Sequence, residues 1–185
     1  MNTVVTSREE ILAASRELIR QKGLPALSVR SVASACGVSV GSIYNYFDSK
    51  ADLFSAAVES VWHEIFHQGD DAAAFQDTLA CIAWMYSRME DGSRRYPGFF
   101  TLHALSSMQG DKVDGRQRMA KAWRHIVDEL CGVLRRDAGI RPDAFDGQIT
   151  VERLADTILS LMISALFRGE YDAGAVIEIV RRVLY

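Results

Sequence analysis

Apolar residues recur in this chain at a spacing of three and four along almost its whole length, which is the period of one face of an α-helix. In the first such stretch, Ile11, Ala14 and Leu18 share a face. Alternation of apolar and polar residues, which indicates half-buried strands, does not compete with this period in any segment. We therefore expect an all-α fold of about nine helices.

Capping residues indicate where these helices begin and end. Ser7 followed by Glu10 is the capping-box pattern, and Gly23 predicts a left-handed end to the first helix. The residues that predict the next three helix starts are Ser28, Ser39 and Ser49. Beyond residue 70, helices are predicted over about 73–90, 97–108, 116–138 and 151–168, with a polar loop over 110–115. A fifth helix is expected to have Asp172 as its cap and to end near the C-terminus.

The segment 29–47 is the most informative part of the chain, because it predicts two short helices joined by a tight turn. Ala33 is small enough to let the two helices approach, Gly37 permits the turn, and Val38 and Ile43 supply apolar contacts. This is the pattern of a helix-turn-helix, whose second helix enters the major groove of DNA. A helical corner inside an ordinary bundle is the alternative that these residues leave open.

The second helix of this pair is expected to present a surface free of acidic residues. Its outward residues are small or able to form hydrogen bonds: Ser39, Val40, Gly41, Ser42, Tyr44 and Asn45. The charge distribution agrees, since residues 1–50 carry six Lys/Arg and four acids, a net charge of +2. The remaining residues carry 15 bases and 20 acids, a net charge of −5. Any nucleic-acid footprint is therefore expected to be local and N-terminal.

The stretch from Ile11 to Phe54 resembles the DNA-binding domain of the TetR family of transcriptional regulators. The resemblance covers roughly residues 7–60, and the segments that carry it are Gly23, Ser28-Val29-Arg30, Val32-Ala33, Gly37-Val38, 41–47 and 49–53. It implies a helix-turn-helix DNA-binding domain over residues 1–48. It also implies a helical effector-binding and dimerisation domain over residues 49–185.

The resemblance implies a DNA-contact role for nine residues. Tyr44, Tyr46 and Lys50 fall on positions that contact phosphates, and Ser28 is placed to bond a phosphate from the start of its helix. Arg30 falls where some members reach a base edge, and a guanidinium can pair bidentately with guanine. The other candidate base readers are Ser39, Val40, Ser42 and Asn45.

The helix predicted over 151–168 is apolar on nearly all sides, so it needs cover on every side. Members of the TetR family bind DNA as two-fold dimers, and this helix with the last one resembles the family's dimer interface. The residues expected there are Leu159, Met162, Ile163, Leu166, Val176 and Val180. A central core helix in a monomer is the alternative.

The resemblance also implies an effector pocket among the C-terminal helices, for a small apolar or amphipathic ligand. The residues able to line such a site are Trp84, Phe99, Phe100, His103, Met108 and Trp123. An aromatic-rich helical stripe can equally be ordinary core, and the resemblance assigns no individual residue in this region.

His63, Glu64 and His67 form an HExxH sequence, the pattern of zinc metalloproteases. At about 100° per residue, both histidines fall opposite the apolar stripe of their helix, on a face expected to be solvated. A catalytic zinc needs a third ligand and a cleft that excludes water, and the sequence indicates neither. We therefore expect no metal site, no cofactor and no enzymatic activity.

Three widely spaced cysteines, Cys36, Cys81 and Cys131, predict buried free thiols rather than disulfides. The first residues lack a secretory signal pattern and no apolar stretch is long enough for a membrane span, so a cytoplasmic protein without a membrane partner is expected.

Together these features predict a dimeric, ligand-responsive repressor that binds a palindromic operator in double-stranded DNA. The alternative is a helix-turn-helix regulator whose C-terminal domain binds a protein partner or a metal ion.

Overall fold

The computed structural model describes residues 6–66, 75–100 and 113–185. For residues 113–122 it describes the backbone alone. All regular structure within these ranges is helical, which confirms the all-α prediction. The eight α-helices described are α1 (Arg8–Lys22), α2 (Val29–Cys36), α3 (Val40–Tyr44), α4 (Lys50–Phe66), α5 (Thr78–Arg95), α6 (Val113–Arg136), α7 (Val151–Arg168) and α8 (Gly174–Leu184). Phe99 and Phe100 are also helical, whereas the rest of the helix predicted over 97–108 lies outside the described residues. No helix in the described ranges is long and apolar enough to cross a membrane.

The chain divides into two compact units. The first unit comprises Met1–His67 and Gly92–Gly110, and the second comprises Gln68–Asp91 and Asp111–Tyr185. In the first unit, α4 packs against α1 and buries Ala57 and Val61 completely. This division places α4 with α1–α3, whereas the predicted boundary lies between residues 48 and 49, just before α4 begins.

Several helix ends are formed by the residues that predicted them. The Ser7 hydroxyl accepts from the Glu10 amide at 3.1 Å, and the Ser7 amide donates to the Glu10 carboxylate at 2.8 Å. Helix α7 has the predicted bounds and ends at Gly169, which is left-handed at φ 66°. Gly23 has the expected positive φ of 78°, but its ψ of 166° lies outside the left-handed helical region.

Other helix ends differ from the prediction. Helix α5 begins at Thr78 rather than near residue 73, because Asp77 Oδ1 accepts from the Ala80 amide at 2.7 Å. It continues past residue 90 to Arg95 and includes Gly92, where a Cβ would lie 2.8 Å from Ile65 Cδ1. Glycine there allows α4 and the end of α5 to pack closely within the first unit.

Two further boundaries depart from the prediction. Helix α6 begins at Val113, although Gly115 predicted a loop at this point. Helix α8 begins at Gly174 with Ala173 as its N-cap, and Asp172 Oδ1 accepts from the Gly174 amide at 2.8 Å. Asp172 therefore bonds the first residue of α8 from the position before the N-cap, and the N-cap has no side-chain hydrogen bond of its own.

A buried carboxylate ties together three parts of the second unit. Asp137, at the end of α6, accepts from the Thr78 amide at 2.8 Å, from the Gly139 amide at 3.0 Å and from the Tyr185 hydroxyl. Burial opposes ionisation, but the hydrogen bonds from Tyr185, Thr78 and Gly139 outweigh it and hold the pKa of Asp137 below its usual value. Asp137 thus fixes the start of α5 and the chain end to α6.

The three cysteines are free thiols. Cys81 and Cys131 are buried as expected, and burial raises the pKa of Cys81 to about 11. Cys36 is only half-buried, because it lies in the last turn of α2 beside the exposed Gly37.

Candidate nucleic-acid interface

Hydrogen bonds at both ends of α2 set its direction relative to α3. Ser28 and Ser31 bond reciprocally, with each hydroxyl accepting from the other's amide at 3.1 and 2.9 Å. At the other end Gly37 is left-handed, with φ 67° and ψ 26°, and the Val38 amide donates to the Ala33 carbonyl at 3.0 Å. The chain therefore turns sharply before α3 begins.

The residues predicted to hold the two helices together are buried. Val32 and Ile43 are 0% exposed, Ala33 is 2% exposed and Phe47 is 1% exposed. Val38, in the turn, is half-buried. The packing that defines a helix-turn-helix is therefore present in the first unit.

The opposite face of α3 is open to solvent. Val40 is 39% exposed and Tyr44 48%, and Ser39 and Asn45 are also exposed. Ser42 is half-buried, and its hydroxyl lies 2.9 Å from that of Ser39. Because Ser39 Oγ also accepts from the Ser42 amide at 3.1 Å, Ser39 caps α3 in addition to facing outward.

The predicted cationic contacts lie on neighbouring helices. Arg30, in the first turn of α2, is exposed, and so is Lys50, the first residue of α4. Ser49 caps α4 by accepting from the Asp52 amide at 3.1 Å. Asp52 in turn accepts from the Asp48 amide at 3.1 Å.

Two contacts beside this surface were not predicted from the sequence. The Arg8 guanidinium lies over the Phe47 ring, 5.2 Å from its centroid, which adds a cation close to the end of α3. The Tyr46 hydroxyl donates to the Thr6 carbonyl, so its proton is engaged within the chain. Tyr46 is nevertheless 38% exposed, and its oxygen can still accept a hydrogen bond.

The expected effector-pocket residues are divided between the two units. Phe99 and Phe100 are buried in the first unit, where they pack with Trp62 at ring distances of 6.1 and 5.2 Å. In the second unit Trp84 packs on Phe75 at 5.1 Å, and Trp123 is half-buried. The remaining two, His103 and Met108, lie outside the described residues.

The expected interface residues on α7 and α8 differ in exposure. Those buried in the chain itself are Leu159, Met162 and Val180. Those half-buried are Ile163, Leu166 and Val176. The large apolar residues exposed on the same two helices are Leu161 at 37%, Phe167 at 43% and Ile179 at 56%. None of these three was among the interface residues predicted. For Leu161 and Phe167 the reason is that α7 is apolar on most sides, so the sequence did not show which of its faces packs on the chain's own core.

The HExxH segment begins in the last turn of α4. His63 is exposed, as the helical phase predicted, and His67 lies outside the described residues. The Glu64 carboxylate pairs with Arg16 Nε at 2.8 Å and with Arg95 at 3.1 Å. Among residues 6–66, 75–100 and 113–185, no three metal-ligating side chains converge.

The sequence is similar to proteins of one known family. The sequence profile described as "Bacterial regulatory proteins, tetR family" matches residues 11–57. The HTH-type transcriptional repressor KstR2 of Rhodococcus jostii (strain RHA1) is 34% identical over 152 residues, which cover 78% of this chain and 71% of that protein.

Solved structures show the same fold. A crystal structure from Rhodococcus sp., described as a TetR-family transcriptional regulator, has a TM-score of 0.70 at 17% identity and covers 100% of both chains. The regulator FadR from Bacillus subtilis, solved with stearoyl-CoA, has a TM-score of 0.56 at 19% identity, over 88% of this chain and 86% of that one. With the exposed α3 and its buried supports, these similarities show that the chain belongs to the TetR family of DNA-binding transcriptional regulators.

Proposed function

We propose that this regulator binds a palindromic operator as a homodimer and represses transcription until a small apolar or amphipathic ligand releases it. The observation that carries the DNA-binding mode is the outward face of α3, which is exposed and free of acids while Ile43 beneath it is fully buried. A single α3 offers few base contacts, and a two-fold pair doubles them on an inverted repeat.

The DNA contact proposed for each residue follows from the chemistry and position of its side chain. Val40 and Asn45 contact base edges, since a methyl group packs on thymine and an amide pairs with adenine. Ser39 and Ser42 add shorter polar contacts. Arg30 reads a base next to them. Phosphates are held by Ser28, Tyr44, Tyr46 and Lys50. The Tyr46 hydroxyl exchanges its bond to the Thr6 carbonyl for one to a phosphate oxygen, and Lys50 adds its charge to the start of α4.

Exposed apolar residues on α7 and α8 support dimerisation through these helices. Leu161, Phe167 and Ile179 are solvent-exposed in the single chain, and exposed large apolar side chains are typical of interaction surfaces. The half-buried Ile163, Leu166 and Val176 extend the surface, while the buried Leu159, Met162 and Val180 support it from within.

Two findings support release by a ligand. KstR2 is named a repressor, and FadR from Bacillus subtilis was solved with stearoyl-CoA, an amphipathic ligand. We place the effector of this chain among the C-terminal helices of the second unit, near Trp84 and Trp123. The protein acts on cytoplasmic DNA by binding alone, without catalysis or a cofactor.

Selection of bound genomic fragments from the source organism tests the proposal. We expect a small set of fragments to be enriched, each containing an inverted repeat. Fluorescence anisotropy on an enriched fragment then measures release by a panel of apolar and amphipathic compounds. Enrichment without an inverted repeat would contradict the dimeric mode, and retention of DNA with every compound would contradict ligand release.

A further inference from the structure

Arg8, in the first turn of α1, is an exposed cation beside the end of the helix-turn-helix. Its guanidinium carbon lies 5.2 Å from the centre of the Phe47 ring, and Phe47 itself is 1% exposed. The arginine therefore covers a buried aromatic side chain while its charge stays open to solvent. Packing against Phe47 fixes this charge close to the residues that follow α3.

The two acids that follow Arg8 in the chain are engaged by other groups. The Glu9 carboxylate pairs with Arg16 at 3.3 Å, and the Glu10 carboxylate accepts from the Ser7 amide at 2.8 Å. Within residues 6–66, 75–100 and 113–185, no carboxylate oxygen lies within 4.0 Å of the Arg8 guanidinium nitrogens. The charge of Arg8 is therefore open to an anion from outside the chain.

A second contact joins the start of α1 to the residues that follow α3. The Tyr46 hydroxyl donates to the Thr6 carbonyl, and Thr6 is 8% exposed. Thr6 lies two residues before Arg8, and Tyr46 directly precedes Phe47, so the two contacts are neighbours. A phosphate oxygen that replaces the Thr6 carbonyl as the acceptor of the Tyr46 hydroxyl therefore comes close to the Arg8 side chain.

We propose that Arg8 binds the same DNA phosphate as Tyr46, and so adds a contact from α1 to those of the helix-turn-helix. This inference rests on the proposed function, which gives Tyr46 a phosphate contact. Tyr46 brings a neutral hydroxyl to the phosphate, whereas the Arg8 guanidinium brings a positive charge and several N–H donors. A phosphate contact carries no base information, so Arg8 strengthens binding to every DNA sequence.

Anisotropy titrations with a duplex of arbitrary sequence, over a range of salt concentrations, test this contact. Arg8→Met removes the charge but keeps an apolar side chain able to cover Phe47. We expect the slope of log affinity against log salt to fall in magnitude by about one unit, because one phosphate contact is lost. The affinity itself should fall about tenfold at about 0.1 M salt. Arg8→Lys keeps the charge and should retain the wild-type slope, whereas a role in packing alone predicts that Arg8→Met retains it too.

Lys22→Met is the matched control, because Lys22 is an exposed cation at the other end of α1 and its loss changes the net charge equally. It should leave the slope unchanged, and thermal melting of each variant verifies folding. An unchanged slope in Arg8→Met, or an equal fall in Lys22→Met, would overturn the inference alone. Wild-type protein that binds no duplex would contradict the proposed function as well.

A double-mutant cycle tests whether the two side chains share one phosphate. Tyr46→Phe should weaken duplex binding less in the Arg8→Met background than in the wild type, because both side chains act on the same group. Losses that simply multiply would show that Arg8 and Tyr46 bind different phosphates, which contradicts the shared site.

Discussion

Arg30 and Lys50 are both exposed cations of the first unit, and the proposed function gives them different parts in DNA recognition. Arg30→Ala is expected to relax the preference at one base pair of each half-site by about 1–3 kcal/mol, because a bidentate contact with guanine is lost. In vitro selection with the variant measures this preference. An unchanged preferred site would show that Arg30 does not read a base.

Lys50→Ala is expected to weaken binding to all DNA sequences alike, because the contact proposed for Lys50 is with phosphate. The slope of log affinity against log salt should fall in magnitude by about one unit. Anisotropy titrations over a range of salt concentrations measure the slope. Arg141→Ala, which removes an exposed charge of the second unit, is the control and should leave the slope unchanged.

Asp137→Asn is expected to cost about 1–3 kcal/mol of unfolding free energy at pH 7, since its buried hydrogen bonds are weakened. The pKa of Asp137 is lowered in the folded chain, so its stabilisation is present above the unfolded pKa and is lost as the pH falls through the folded one. The unfolding free energies of wild type and variant, measured in urea, should therefore approach each other as the pH falls below about 4.

Asp143→Asn provides the control for this effect, because Asp143 is exposed and ion-paired with Arg141. It should change stability by less than about 0.5 kcal/mol at either pH. A gap between wild type and Asp137→Asn that stays constant down to pH 2 would contradict the role given to the ionised carboxylate.

Single residues also show what the sequence was able to predict. Ala33 and Ile43 were recognisable because local spacing determines which residues meet inside a short helix pair. The bond from Tyr46 to Thr6 was not, because it joins residues 40 positions apart. The contact of Arg8 with Phe47 and the arginine partners of Glu64 likewise depend on tertiary packing that periodicity does not encode.

At the scale of elements, Gly37 determines how α3 follows α2. It has a φ of 67°, and an added Cβ would meet no atom within 4 Å, so Gly37→Ala tests backbone conformation alone. We expect a loss of about 1 kcal/mol in unfolding free energy, because alanine is strained at this positive φ. We also expect weaker DNA binding, because this turn orients α3.

Gly169 offers a matched comparison, since its φ is 66° and it too has no atom within 4 Å of an added Cβ. Gly169→Ala should lose similar stability but keep the DNA affinity of the wild type. Chemical unfolding and anisotropy measure the two quantities separately. Equal loss of DNA affinity in both variants would show that general destabilisation, rather than the placement of α3, is responsible.

Element boundaries were predictable where a cap has a local signature. Helix α7 has the predicted bounds, because Thr150 accepts from the Arg153 amide at its start and Gly169 ends it. The start of α6 was missed, since Gly115 indicated a loop. A helix tolerates an interior glycine at a cost of about 1 kcal/mol, which packing elsewhere along a long helix can offset.

At the scale of the whole molecule, the dimer proposal requires a second chain to cover the exposed residues of α7 and α8. Phe167→Glu combined with Ile179→Lys should give a monomer in light scattering at micromolar concentration, because both changes place a charge in an apolar interface. Ile149→Lys is the control, since Ile149 is 39% exposed in the loop before α7. A dimer that persists in the double variant would contradict this interface.

The sequence predicted the structure of the first unit most completely, because a specific motif covers most of its helices. In the second unit, apolar patterning predicted helices but not which apolar residues face the chain's own core. Leu159 and Leu161 illustrate the limit, because they are both leucines of one helix and only the second is exposed. For the same reason, the sequence could not show which of the proposed effector residues lie in the same unit.

Dimethyl sulfate protection on an enriched genomic fragment tests whether α3 lies in the major groove. The reagent methylates guanine N7 in the major groove and adenine N3 in the minor groove. Bound protein should protect guanine N7 in two half-sites on one face of the duplex, and Val40→Ala with Asn45→Ala should lose that protection before general affinity disappears. Protection confined to adenine N3, or a pattern unchanged in the α3 variant, would show that another surface of the protein reads the operator.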